Sequence, residues 1–178
     1  MISQKMAETI NRQINNEMYS AYLYMAMSAH CSTIGLNGFA KWFMIQYHEE
    51  MFHAMKFYNY LLDQGAEPRL EAIKEPPAKW ASVKEMFENT LAHEKTVTKN
   101  INDIADLAQK ENDHATYAFN QWYVNEQVEE EKNDNDILAR LAIVGEKGPG
   151  LYMLDGQLGS RSLGVQSDFS GGIGEGEG

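Results

Sequence analysis

A single cysteine, Cys31, in a chain of 178 residues leaves no intramolecular disulfide to staple the fold. That usage suits a reducing cytoplasm, where Cys31 reads as a small packed hydrophobe and not a reactive thiol. Proline is scarce as well. Pro68, Pro76 and Pro77 crowd into one short stretch, so long helices can run uninterrupted elsewhere. No run of about 18 apolar residues occurs, and the opening MISQKMAETINRQ has no apolar core of the secretory kind. Neither a membrane span nor export is expected. Positive charge is also in short supply: 15 Lys and Arg stand against 26 Asp and Glu, a net charge of −11. That balance excludes a nucleic-acid-binding surface and is compatible with drawing in cations.

What is present is helix. Hydrophobic periodicity predicts a first helix from about Ser3 to Ile34, ended by GLNG, and a second from Gly38 to Gly65. Ser82 and Glu85 form a capping box that opens a third helix, running to about Asn112. Asp113 is the N-cap of a fourth, which stops at Gly145, and LYMLDGQLGS forms a short amphipathic fifth. The turns near residues 35 and 113 are short, so helices one and two are expected as antiparallel neighbours, and likewise three and four. The proline-bearing connection differs. About 16 extended residues reach about 50 Å, enough to run the length of a helix of about 27 residues. The expected fold is all-α: a four-helix bundle with one long crossover and a short fifth helix, as one domain over 1–162. Residues 163–178, rich in glycine and poor in apolar anchors, read as a flexible tail.

Charged groups interrupt the apolar stripes at one level. Positions 7 or 11 apart share a line along a helix. Glu17 shares its line with Ile10 and Tyr24, and Glu50 with Phe39, Phe43, Phe57 and Leu61. Glu94 lines up with Phe87 and Ile101, and Glu130 with Phe119, Tyr123, Ile137 and Leu141. Counted from the short turns, the four glutamates fall within about 7 Å of one height. His53 follows Glu50 by one turn, near enough to share a ligand. No matching Lys or Arg lies on those lines, and unpaired carboxylates in an apolar core must protonate or bind cations. One such glutamate is ordinarily a solvated residue at a stripe edge. Four at one height, with a histidine, point to bound metal. Oxygen donors with one imidazole suit iron or manganese, and zinc fits them too.

NRQINNEMYSAYLYMAMS, EEMFHAMKFYNYL and AFNQWYVNEQVEEE together resemble ferritins of the prokaryotic non-haem type, over residues 1 to about 162. The resemblance implies an up-down-down-up bundle in a homo-oligomeric 24-subunit shell. It also implies a dinuclear ferroxidase centre that oxidises Fe(II) with dioxygen and deposits ferric oxyhydroxide in the cavity. By position, Glu17, Glu50 and His53 resemble the ligands of a first iron, with Glu50 bridging to a second on Glu94 and Glu130. A third iron site would fall on Glu49, Glu126, Glu129 and Glu130. Gln127 would lie beside the second iron, with Tyr24 and Trp122 as flanking aromatic electron donors. For Tyr24 the plain alternative is a core tyrosine satisfied by a glutamate.

Two positions, Asn133 and the lone Cys31, separate this chain from relatives of the same bundle class. A second Glu-x-x-His would need histidine at 133, where Asn133 stands, so the second site is expected to hold metal less firmly and to pass it on. Met51 falls where bacterioferritins carry a haem ligand, but Asn133 breaks that pattern and haem is not expected. A rubrerythrin would need a four-cysteine site, and Cys31 stands alone.

Overall fold

The computed structural model describes residues 2–165 and consists, among these, of five helices and no strand. They are α1 (Gln4–Thr33), α2 (Asn37–Asp63), α3 (Val83–Lys110), α4 (His114–Val144) and α5 (Pro149–Leu158). The tail expected at 163–178 lies outside the described residues except for its first three positions. No described helix is long and apolar enough to cross a membrane.

The helix boundaries follow from local chemistry. Ser3 accepts from the Met6 amide, Ser82 from Glu85 and Asp113 from Thr116, each satisfying an amide that has no partner within its helix. At Ser82 the box closes, since the Glu85 carboxylate accepts from the Ala81 amide at 2.5 Å. Gly145 ends α4 at φ 77°, a conformation that side chains with a Cβ resist.

Side-chain pairs fix the directions of the helices. Between α1 and α3, Ser20 meets His93, Tyr24 meets Glu94, Thr90 meets Met27 and Cys31 meets Met86, so the two run antiparallel. Between α2 and α4, Gln46 meets Glu130, Tyr123 meets His53 and Tyr60 meets Thr116, again antiparallel. The result is up-down-down-up, as the connection lengths require. The crossover runs along α1. Its start is tied by the Arg69 amide to Asn11 at 2.6 Å, and near its end Trp80 packs on His30 with ring centres 5.5 Å apart. Asn11 to His30 spans about 28 Å of helix, within reach of extended chain from Arg69 to Trp80.

Two apolar clusters fill the bundle. One gathers Met27, Phe39, Phe43, Phe87 and Ile137 at the α5 end. The other gathers Met6, Ile10, Phe57, Ile101 and Tyr123 at the opposite end. The layer between them is polar and buried: Glu17, Glu50, His53, Glu94, Gln127 and Glu130.

Candidate metal centre

One set of donors in that layer converges. Among the described residues, a ligand atom from each of Glu17, Glu50 and His53 lies within 4.8 Å of the other two, and all three side chains are buried. Helical spacing places them: Glu50 and His53 sit one turn apart on α2, facing Glu17 across the antiparallel pair. His53 Nδ1 is 3.4 Å from Glu50 Oε2, yet neither Glu50 Oε2 nor Glu17 Oε2 has a hydrogen-bond partner. Buried carboxylate oxygens are normally satisfied, because desolvating one without a partner is costly. Here the two carboxyls face each other and must either share a proton or take a cation.

Protonation tells the same story. Burial first, then the Glu50 charge, pushes the Glu17 carboxyl well above the usual range. Burial and the neighbouring Glu94 do the same to Glu50. Glu130 is pushed up to about 8 by burial, with Glu94 and Glu49 adding to it. Without metal the layer therefore holds extra protons, and a cation would bind by replacing them.

Glu94 and Glu130, the ligands expected for a second metal, are held by hydrogen bonds and do not converge with the trio. Glu94 accepts from the Tyr24 hydroxyl and, at 3.0 Å, from Gln127 Nε2. Glu130 accepts from Gln46 Nε2 at 2.8 Å. Tyr24 is thus satisfied by a glutamate, and burial and the Glu94 carboxylate raise its pKa well above 10. Trp122 stands edge-on to the His53 ring at 5.3 Å, with the Lys56 ammonium 3.7 Å above its own ring.

The remaining expected ligands lie on the flank. Glu126 Oε2 approaches His53 Nε2 at 4.0 Å and is partly exposed, while Glu129 is exposed. Glu49 is half-buried and paired with Arg161 at 2.7 Å. The structure therefore gathers Glu17, Glu50 and His53 within reach of one ion, and leaves Glu49, Glu126 and Glu129 apart from that set.

Four further polar side chains border the layer without standing out from the helical stripes. Gln13 donates to Glu17 Oε1 at 2.9 Å, and Gln46 donates to Glu130. Both amides sit one turn from a ligand, a position that i, i+4 spacing marks. Asp134, one turn beyond Glu130, is buried with Oδ2 unpartnered. Arg161 follows α5 and so lies on none of the helix lines, yet it supplies the cation that those lines lack.

The comparisons agree with this architecture. The family described as Ferritin-like domain matches residues 7–144. The chain is 40% identical over 158 residues to a bacterial non-heme ferritin of Escherichia coli O157:H7, covering 89% of this chain and 96% of that protein. A bacterial non-heme ferritin of Staphylococcus aureus is 36% identical over 163 residues, 92% of this chain and 98% of that one. Among solved structures, an open pore ferritin from the hyperthermophilic archaeon Archaeoglobus fulgidus superposes with a TM-score of 0.89 at 46% identity. It covers 91% of this chain and 100% of that one.

Proposed function

This chain belongs to the ferritin family of iron-storage proteins, and on that premise we propose that it oxidises Fe(II) with dioxygen at a dinuclear centre inside each bundle. The observation that carries the reading is the buried trio Glu17, Glu50 and His53, whose two carboxyl oxygens without a settled partner can take a cation in exchange for protons. Iron is the substrate here. The first Fe(II) binds this trio and displaces protons from carboxyls that burial keeps protonated. The second binds between Glu94 and Glu130, with Glu50 as the bridge. Glu50 suits that place because it touches Glu17 and His53 on one side and lies in the field of Glu94 and Glu130 on the other.

Hard anionic oxygens bind Fe(III) more strongly than Fe(II), so the ligand set favours loss of one electron from each iron. Two irons side by side offer dioxygen two electrons at once. The ferric product then leaves for a mineral of ferric oxyhydroxide. Asn133 supports that traffic, since a neutral amide oxygen in place of an imidazole holds the second iron less firmly. Glu49, Glu126 and Glu129, with Glu130, form the third iron site on the flank, and Tyr24 and Trp122 serve as auxiliary electron donors. The chain works as a cytoplasmic 24-subunit cage, whose interior takes the mineral. The acidic surface, with a net charge of −11, draws Fe(II) towards it.

Replacing Glu50 and His53 together by Ala removes the bridge and the imidazole while leaving both apolar clusters intact. Stopped-flow absorbance on the assembled protein is expected to show rapid Fe(II) oxidation in the native chain and none in the double variant. Oxidation at the native rate in the variant would sink the ferroxidase reading.

A further inference from the structure

Among the described residues, Arg161 is the one cation that reaches the polar layer from outside the four long helices, and it is held in place. Asp155 on α5 accepts from the Phe39 amide at 2.9 Å, and Lys41 Nζ donates to the Gly159 carbonyl at 2.8 Å. These two bonds fasten α5 and the residues after it against the start of α2. The Arg161 guanidinium then lies 5.2 Å from the Trp42 ring centre, and its side chain is only 24% exposed.

Its two ends do different things. Nη2 donates to Glu49 Oε2 at 2.7 Å. Nη1 donates to Gln46 Oε1 at 2.5 Å, and Gln46 Nε2 donates onward to Glu130 Oε2 at 2.8 Å. The second chain has a sense. With its oxygen taken by the guanidinium, the Gln46 amide must present its NH2 group to Glu130, and that bond fixes which Glu130 oxygen is left for a metal. A planar fork suits this double duty, and a lysine ammonium cannot reproduce it.

We propose that Arg161 is a built-in competitor for the flanking iron site: it neutralises Glu49 and, through Gln46, orients Glu130, and a cation binds at Glu49 only by displacing it. The proposal rests on the assignment of Glu49 to that site. Its physical basis is charge. A carboxylate already paired with a guanidinium gives little net attraction to an incoming dication, so the flanking site fills after the buried one. When a metal does take Glu49, the guanidinium is released, the Gln46 amide is free to turn, and Glu130 loses its brace. Occupation of the flank thereby loosens a ligand of the second iron. Arg161 is a positioning residue on this account, since it acts through Glu49 and Gln46.

The test uses assembled, iron-stripped protein under air-free conditions with Co(II) as the probe, followed by calorimetry and visible absorption. Arg161→Gln is expected to tighten the weaker, Glu49-dependent binding by about fivefold, the worth of one partly exposed charge pair, while leaving the tight binding at Glu50 and His53 unmoved. Arg161→Lys, which keeps the charge facing Glu49 but cannot hold Gln46 as well, is expected to keep the weak affinity near the native value. Glu49→Gln is expected to weaken the flanking binding in the native chain and to cancel the gain in Arg161→Gln. The proposal is overturned if Arg161→Gln leaves the weak binding unchanged, or if the gain survives Glu49→Gln. Should Arg161→Gln fail to assemble, a crystal structure of the native protein with Co(II) bound decides: Arg161 turned away from a cobalt-ligated Glu49 is expected, and cobalt on Glu49 with the Arg161 pair intact overturns the proposal. Failure of the dinuclear reading registers elsewhere, as tight binding that persists in the Glu50→Ala, His53→Ala variant.

Discussion

Asp134 is the residue whose situation is hardest to reconcile with a resting, metal-free core. It is buried, one of its oxygens has no partner, and burial together with the Glu94 and Glu131 charges pushes it from 3.8 up to about 8. A carboxyl raised on folding binds more protons in the folded state than in the unfolded one. Its effect on stability is therefore nil well below pH 3.8, grows unfavourable as pH rises towards 8, and then levels off. Glu130, raised from 4.5 to about 8, acts in the same direction over nearly the same window. Metal-free protein is expected to lose stability between about pH 4 and pH 8, and Asp134→Asn to flatten that slope and gain on the order of 1–3 kcal/mol at pH 7. Chemical denaturation of apo-protein at pH 5, 6, 7 and 8 checks it; parallel curves for the two proteins would show that Asp134 ionises freely. Next to it stands Asn133, to which the proposed function assigns the release of oxidised iron. Asn133→His puts an imidazole one turn from Glu130, within reach of the proposed second iron. The variant is expected to oxidise a first pair of irons quickly, turn over later additions slowly, and retain about two irons per chain after chelation. Turnover like the native protein, with no extra iron retained, would remove Asn133 from the account.

At the scale of elements, the way α5 docks explains why Arg161 is in place at all. The first turn of α2 has unsatisfied amides and no side-chain cap of its own at Leu36. Asp155 supplies the missing acceptor from α5, and its charge faces the positive end of the α2 dipole. The two backbones approach so closely that a Cβ on Gly38 would stand 1.7 Å from the Asp155 carbonyl oxygen. Gly38→Ala must therefore push α5 away, at a cost of about 1–3 kcal/mol, and take Arg161 out of reach of Glu49 and Gln46. Both the fall in thermal midpoint and a rise in weak Co(II) binding like that of Arg161→Gln are expected. An unchanged midpoint would mean that α5 docks by some other contact. None of this docking was legible in the sequence, whereas the long helices were. Ser82 with Glu85, Asp113 and Gly145 carry their meaning locally, and stripes of period 3.6 reveal which face is buried. Glu17, Glu50, Glu94 and Glu130 stood out because each interrupts such a stripe. Asp134 interrupts one too, a turn from Glu130, but it is masked by the polar run KNDND around it. Gln46 and Arg161 meet across 115 positions of sequence, and no local pattern announces such a pair.

For the whole molecule, the pattern of exposure matters more than that of the core. Most large apolar side chains are buried, but Tyr152 and Met153 on α5 are 79% and 66% exposed, and Ile143 near the end of α4 is 85% exposed. On α5 the inward face is already used by Leu151, Leu154 and Leu158, so the outward apolar pair is left over after the chain has folded. Leaving such groups in water is unfavourable by about 25 cal/mol per Å2 of apolar surface, and burying them against another copy recovers that. A subunit interface at the α5 end is the natural use of them in a cage-forming family. Tyr152→Lys with Met153→Lys is expected to leave the helical signal and the metal trio unchanged while size-exclusion mass falls from that of a large particle to small oligomers. Removal of everything after Gly164 serves as the contrasting variant. That segment is rich in glycine and short of apolar anchors, so its deletion is expected to leave the large particle intact. The opposite result, with the lysine pair assembling normally and the truncated chain falling apart, would move the interface from α5 to the C-terminal segment.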